Sequence, residues 1–159
     1  MDHDRQLRQQ AAKFLDWHEA HADFAAAISD FPAELRGQVP DGLPHSGWQL
    51  LEHIRITLWD IVEFSRDARH KSPEWPEGYW PKAAAPPNAK AWNETVKAIE
   101  KHLEEMRELV LDAKRDLFAP LAHGSGQTLL REALLVADHN AYHLGQLVLV
   151  RRALNAWKG

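Results

Sequence analysis

Apolar residues recur along most of this chain at steps of three and four, the period of one face of an α-helix. Over residues 4–30 the stripe is Leu7, Gln10, Phe14, Trp17, His21, Phe24 and Ile28. Pro32 lies just past its end, and Gly37, Pro40, Gly42 and Pro44 fill the connection that follows. A second helix is expected to start at Ser46. Ser46 and Gln49 form the S-x-x-Q capping box, in which each side chain satisfies a backbone N–H at the helix start. Its stripe is Leu51, Ile54, Leu58 and Ile61, with Leu50 and Phe64 beside it, and it fades near Arg69. A third helix is expected over residues 88–113 with Asn88 as N-cap; Trp92, Val96, Ile99, Leu103, Met106 and Val110 make its apolar face. A fourth starts after Thr128 and runs to about Ala156. No segment sustains the period-two alternation of a strand, so the pattern predicts an all-α chain. Four helices of roughly 25 residues, each about 37 Å long, suit a four-helix bundle.

Residues 73–87 interrupt this pattern with five prolines and a glycine, which predicts a non-helical crossover between the second and third helices. Trp75, Tyr79 and Trp80 are costly to leave in water, so the crossover is expected to lie against the body, as a pocket wall, a lid or a pinned connection.

Composition narrows the function classes. At 159 residues the chain matches one domain over residues 1–159. With no cysteine, disulfides, thiolate metal sites and a cysteine nucleophile are ruled out. A net charge of -4 argues against a nucleic-acid footprint. No apolar run approaches the ~20 residues of a membrane span, and the polar start Met1-Asp2-His3-Asp4-Arg5 lacks the apolar core of a secretory leader. The expectation is a cytoplasmic protein acting on a small molecule.

Ten histidines direct attention to imidazole chemistry. His139 and His143 stand at i and i+4, on one helix face one turn apart, so their ring nitrogens can converge on one metal ion. Chance alone supplies about 0.6 such pairs in a chain of this histidine content, so spacing proves nothing. Context adds more: Val136, His139, His143, Gln146 and Val150 form a ribbon in a helix dense in Leu and Val. Buried imidazoles need a metal or hydrogen-bond partners to offset their desolvation. His53, at the edge of the second helix's stripe, can complete a three-histidine site with one open position, the pattern of catalytic zinc; the alternative is a hydrogen-bonded boundary histidine.

Helix two, Trp48-Gln-Leu-Leu-Glu-His53-Ile, and helix four, Leu130 through His139-Asn-Ala-Tyr-His143-Leu-Gly-Gln146-Leu, resemble the DinB-like (YfiT-like) metalloenzymes. The resemblance covers the order of the helices and the H…H-x-x-x-H layout followed by Gly-Gln and the basic end Arg151-Arg152. It implies an up-down-down-up bundle that binds a divalent ion, nickel or zinc, through His53, His139 and His143. It further implies a homodimer and, in some relatives, a low-molecular-weight thiol as co-substrate.

Other residues are candidates of lesser weight. His21 on the first stripe, His123 in the Pro120–Gly124 loop, Tyr142 and Trp80 are candidate pocket residues; core-edge or surface positions are the alternative. Asp60, two turns beyond His53, is a candidate base or orienter, and Gln146 a candidate hydrogen-bonder to substrate. Asp138 and Glu52 project about 100° away from the ligands. His3, His18, His45, His70 and His102 read as surface or capping residues, and Gly145 as a point of close helix approach. The metalloprotease pattern H-E-x-x-H is absent, since Asn140 holds the glutamate position. Three classes stay open: a metal-dependent hydrolase or thiol transferase, a metal- or small-molecule-binding module without turnover, and a bundle with core histidines only.

Overall fold

In a computed structural model, which describes residues 2–16 and 20–158, the N-terminal stripe forms two helices instead of one: α1 (His3–Phe14) and α2 (Phe24–Ile28). An aspartate starts each. Asp2 accepts from the Arg5 N–H at 3.1 Å, and Asp23 from the Ala26 N–H at 2.7 Å. Asp23 lies within the span that periodicity reads as one helix, and its side chain caps the start of α2. Trp17 of that stripe and His18, read as a surface or capping residue, lie outside the described residues.

Helix α3 (Gly47–Arg66) begins where the capping box places it, with both Ser46–Gln49 bonds made at 3.1 Å. A Cβ on Gly47 would stand 2.4 Å from the Phe31 ring, so only glycine lets the ring close over the start of α3. Helix α4 (Ala91–Leu111) starts three residues later than expected. Asn88 Oδ1 instead takes the Lys90 and Ala91 N–H groups and caps a turn ahead of the helix. Helix α5 (Leu129–Ala153) starts after Thr128, whose hydroxyl accepts from the Arg131 N–H at 3.2 Å.

Helix α3 packs on α4 and α5, α1 packs on the same two, and α2 lies on α5. The core between them is Leu50, Leu51, Ile54 and Leu58 of α3, Ile99, Met106 and Val110 of α4, and Val136 and Leu147 of α5, all nearly sealed from solvent. The chain is all-α: among the described residues the only β pairing is one isolated bridge, Pro120 to Thr128. No helix among them is long and apolar enough to cross a membrane. Helices α3 and α5 run in opposite directions, with Gly47 close to Leu147 at one end and Phe64 against His123, just ahead of α5, at the other.

Two buried arginines fasten helix ends. The Arg8 guanidinium donates to the carbonyls of Val110, Asp112 and Arg115, in the last turn of α4 and just past its end, at 2.6–3.0 Å. Arg151 donates to Ala26 and Ala27 at the end of α2 and to Ala156 beyond α5.

The 73–87 crossover lies along α3 in part. Gln49 Nε2 reaches the Pro81 carbonyl at 3.5 Å, and the Ser46 hydroxyl donates to the Ala84 carbonyl. Tyr79 and Trp80 are half-buried, but Trp75 is 71% exposed, against the expectation that all three rings are covered. Gly145 also departs from expectation: it is exposed, and a Cβ there would meet nothing within 4 Å.

Candidate metal centre

Because α3 and α5 run antiparallel, one residue of α3 can face two of α5 that are one turn apart. His53 does so. Its Nε2 stands 3.1 Å from His143 Nε2 and 3.1 Å from His139 Nε2. One ligand atom from each of the three residues lies within 4.8 Å of the others. His53 and His143 are buried and His139 is half-buried.

All three rings are held neutral. Burial, with help from the neighbouring imidazoles, pushes His53 down to about 4 and His139 down to about 3. Burial also lowers His143. A neutral imidazole has one N–H, and the surroundings fix where two of them sit. His53 Nδ1 is 2.9 Å from the Tyr79 carbonyl, which only accepts, so the proton is on Nδ1. His143 Nδ1 is 2.8 Å from Gln146 Oε1, which fixes its proton likewise. Both Nε2 atoms are therefore bare lone pairs facing one another at 3.1 Å with no proton between them.

His139 cannot cure this. Its Nε2–H can serve the His53 lone pair, but its buried Nδ1 then has no partner, and His143 Nε2 remains unserved. With the proton on Nδ1 instead, three lone pairs converge. Unserved buried polar atoms of this kind cost about 1–3 kcal/mol each. A cation among the three Nε2 atoms removes the conflict in one stroke. The spacing suits one: zinc–nitrogen bonds of 2.0–2.1 Å in a tetrahedral set put the nitrogens about 3.3–3.4 Å apart. The donor set thus fits a divalent metal ion.

Aromatic rings wall the cluster. Trp80 stacks on His53 at 3.8 Å between centroids, and His45 stacks on the far face of Trp80 at 4.0 Å. Tyr142 meets His143 edge-on at 5.0 Å, with its own side chain 65% exposed. Asp60 does not reach the imidazoles directly. Its Oδ2 accepts the Tyr79 hydroxyl at 2.6 Å and its Oδ1 meets His70 Nε2 at 2.7 Å. Burial, and then the Asp60 carboxylate, raises Tyr79 to about 12, so the phenol keeps its proton and donates it to Asp60. Asp60 thereby anchors the residue whose carbonyl holds His53.

The remaining candidates lie elsewhere. His21 is exposed, with Nδ1 at 2.9 Å from the Ala22 carbonyl. The His123 ring packs on Phe64 and donates from Nε2 to the Phe64 carbonyl in the last turn of α3 at 2.7 Å, so it caps that helix. Glu52 is buried and turned away, bound to Arg55 and Thr95. His102, expected at the surface, is buried against Glu105, and His70 is largely covered against Asp60. Sequence reasoning missed the Tyr79 carbonyl, His70 and His45. A backbone acceptor in a proline-rich crossover carries no residue signature, and a stacked or bridging histidine has no periodic neighbour to betray it.

A family model described as DinB superfamily matches residues 16–147. No curated protein and no solved structure matches the chain.

Proposed function

The chain belongs to the DinB superfamily, and from that premise we propose that it is a metal-dependent enzyme, a hydrolase or thiol transferase acting on a small electrophile. His53, His139 and His143 hold one divalent ion, zinc or nickel, in this reading. The observation that carries it is the pair of unprotonated Nε2 atoms of His53 and His143 at 3.1 Å, a contact that two neutral imidazoles do not make without a cation. When bound, such an ion supplies Lewis acidity that brings a water or thiol toward ionisation at neutral pH. The chain's own part is orientation. Tyr79 and Gln146 fix two ring tautomers, Asp60 holds Tyr79 in place, and Trp80 keeps water from the face of His53. The four longer helices are read as the up-down-down-up bundle of the family, and pairing of two copies is part of the same proposal. The exposed Leu134 and Tyr142 of α5 favour that pairing.

A binding module without turnover is the second reading. It is favoured by the engagement of Asp60: both its oxygens are taken, so it is not a free base at the cluster. Protein purified without a histidine tag or chelator is expected to carry about one divalent ion per chain, and His139→Ala to carry almost none while remaining helical. Metal-free wild-type protein that takes up no zinc or nickel overturns both readings. Turnover in a screen of hydrolase and thiol-transfer substrates, lost in His139→Ala, selects the enzyme.

A further inference from the structure

Beside the three imidazoles, toward the start of α3, the helices leave a cleft of about 90 Å³. Leu43, Pro44, Leu50, Leu149 and Val150 line it, with His45 and Gln146 as its polar residues. Both of those connect it to the cluster. Gln146 accepts from His143 through Oε1, and His45 stacks on the indole that covers His53. Leu50 precedes His53 by one turn of α3, and Gln146 follows His143 by one turn of α5, so the cleft and the cluster are consecutive along both helices.

The chemistry of the walls selects the occupant. No Asp, Glu, Lys or Arg lines the cleft, and burial lowers His45 so that its ring is neutral as well. A charged group would lose its hydration there with nothing opposite to replace it. The volume is several times the roughly 10–15 Å³ that a single water requires, enough for a short aliphatic chain. Gln146 has a second capacity: with Oε1 committed to His143, its NH₂ makes no hydrogen bond among the described residues and can donate to an oxygen.

We infer that this cleft seats the substrate of the metal centre, and that the substrate is a small molecule with a short uncharged aliphatic chain and a carbonyl-type oxygen at its head. The head oxygen lies between the imidazole cluster and the Gln146 amide, and the chain extends along Leu43, Leu50 and Leu149. This rests on the metal reading above, so the test separates the two.

The experiment uses the cobalt(II)-loaded protein titrated with straight-chain carboxylates from acetate to hexanoate, followed by its visible absorption bands. The carboxylate head reports the metal, and the tail reports the cleft. Affinity is expected to rise about threefold to fourfold per methylene, the gain of burying one CH₂, until the cleft is full. Leu149→Asp, at a half-exposed position that tolerates a polar side chain, is expected to abolish that rise while leaving acetate affinity within twofold. Leu43→Asp, in the loop before α3, is a second probe of the same wall. Cobalt and acetate binding with no dependence on chain length overturns the cleft assignment alone, as does a series unchanged in both variants. Failure to take up cobalt at all overturns the metal reading and this inference together.

Discussion

Two buried polar regions of this molecule show opposite accounts of their hydrogen bonds. Around Arg151 and Arg8 every guanidinium nitrogen is directed at an oxygen acceptor. Arg151 reaches three backbone carbonyls, and Arg8 reaches three carbonyls and the Asp4 carboxylate. Phe31 and Trp157 flank the Arg151 guanidinium at 5.3 and 5.0 Å, adding cation–π contact. At the imidazole cluster two acceptors face each other and a third ring has a buried nitrogen without a partner. Both regions cost desolvation free energy; the two guanidiniums recover it within the chain, although the Trp157 Nε1 beside Arg151 has no partner, and the imidazoles do not recover it. A satisfied buried network holds a structure together, whereas converging imidazole nitrogens left without protons between them are what a cation would satisfy.

The comparison is broken most forcefully from the arginine side. Arg151→Met removes the donors from Ala26, Ala27 and Ala156 and leaves buried carbonyls unpaired. The expected loss is about 3–5 kcal/mol, or roughly 10 °C in Tm for a chain of this length, read by thermal melting. Zinc bound per folded chain is expected to stay the same, because Arg151 touches none of the three imidazoles. A drop in zinc stoichiometry in folded Arg151→Met protein would show that the two regions are not separate.

A second effect, of comparable size, comes from pH, on metal-free protein. His53 and His139 sit at about 4 and about 3 when folded, below the usual 6.5 of an unfolded histidine. As pH falls below about 6.5 the unfolded chain therefore binds protons that the folded chain refuses. Stability is full above that pH and is lost on acidification toward 4, by up to about 1.4 kcal/mol per pH unit for each ring. Denaturant melts at pH 7.5, 6 and 5 check the slope. The arginine region contributes none of it, so His53→Phe, which removes one of the three depressed rings, is expected to flatten the curve.

Much of this architecture was legible in the sequence. The capping box at Ser46, the N-cap at Thr128 and the stripes of α3, α4 and α5 are local signals, written in residues three and four apart. The pair His139 and His143 is local too, and His53 shares its helix with an apolar stripe that points it inward. What the sequence concealed is longer in range or subtler in kind. The apolar period runs through residues 4–30 as if one helix filled them, yet α1 ends at Phe14 and Asp23 caps a new start at Phe24. The acceptor of His53 is a main-chain oxygen 26 residues away, which no side-chain pattern announces. His123 looked like a pocket residue because loops reach bundle mouths, yet the nearest unmet acceptor was the end of α3.

The finest probe compares two contacts that resemble each other and lie on either side of the divide. Tyr79 donates to Asp60 at 2.6 Å and His123 donates to the Phe64 carbonyl at 2.7 Å; each ties a connecting segment to α3. Only the first continues to an imidazole of the cluster, through the Tyr79 carbonyl on His53. Tyr79→Phe keeps the ring but frees the segment, so the His53 ring loses part of its orientation. Zinc affinity, measured by competition against a chelator, is expected to fall about tenfold, the lower end for loss of such a supporting contact. His123→Ala is expected to cost about 1 kcal/mol of stability through the lost helix cap and to leave zinc affinity within twofold. If the two variants weaken zinc equally, the Asp60–Tyr79 contact is only a brace for the fold, and the orientation of His53 comes from Trp80 stacking on its face.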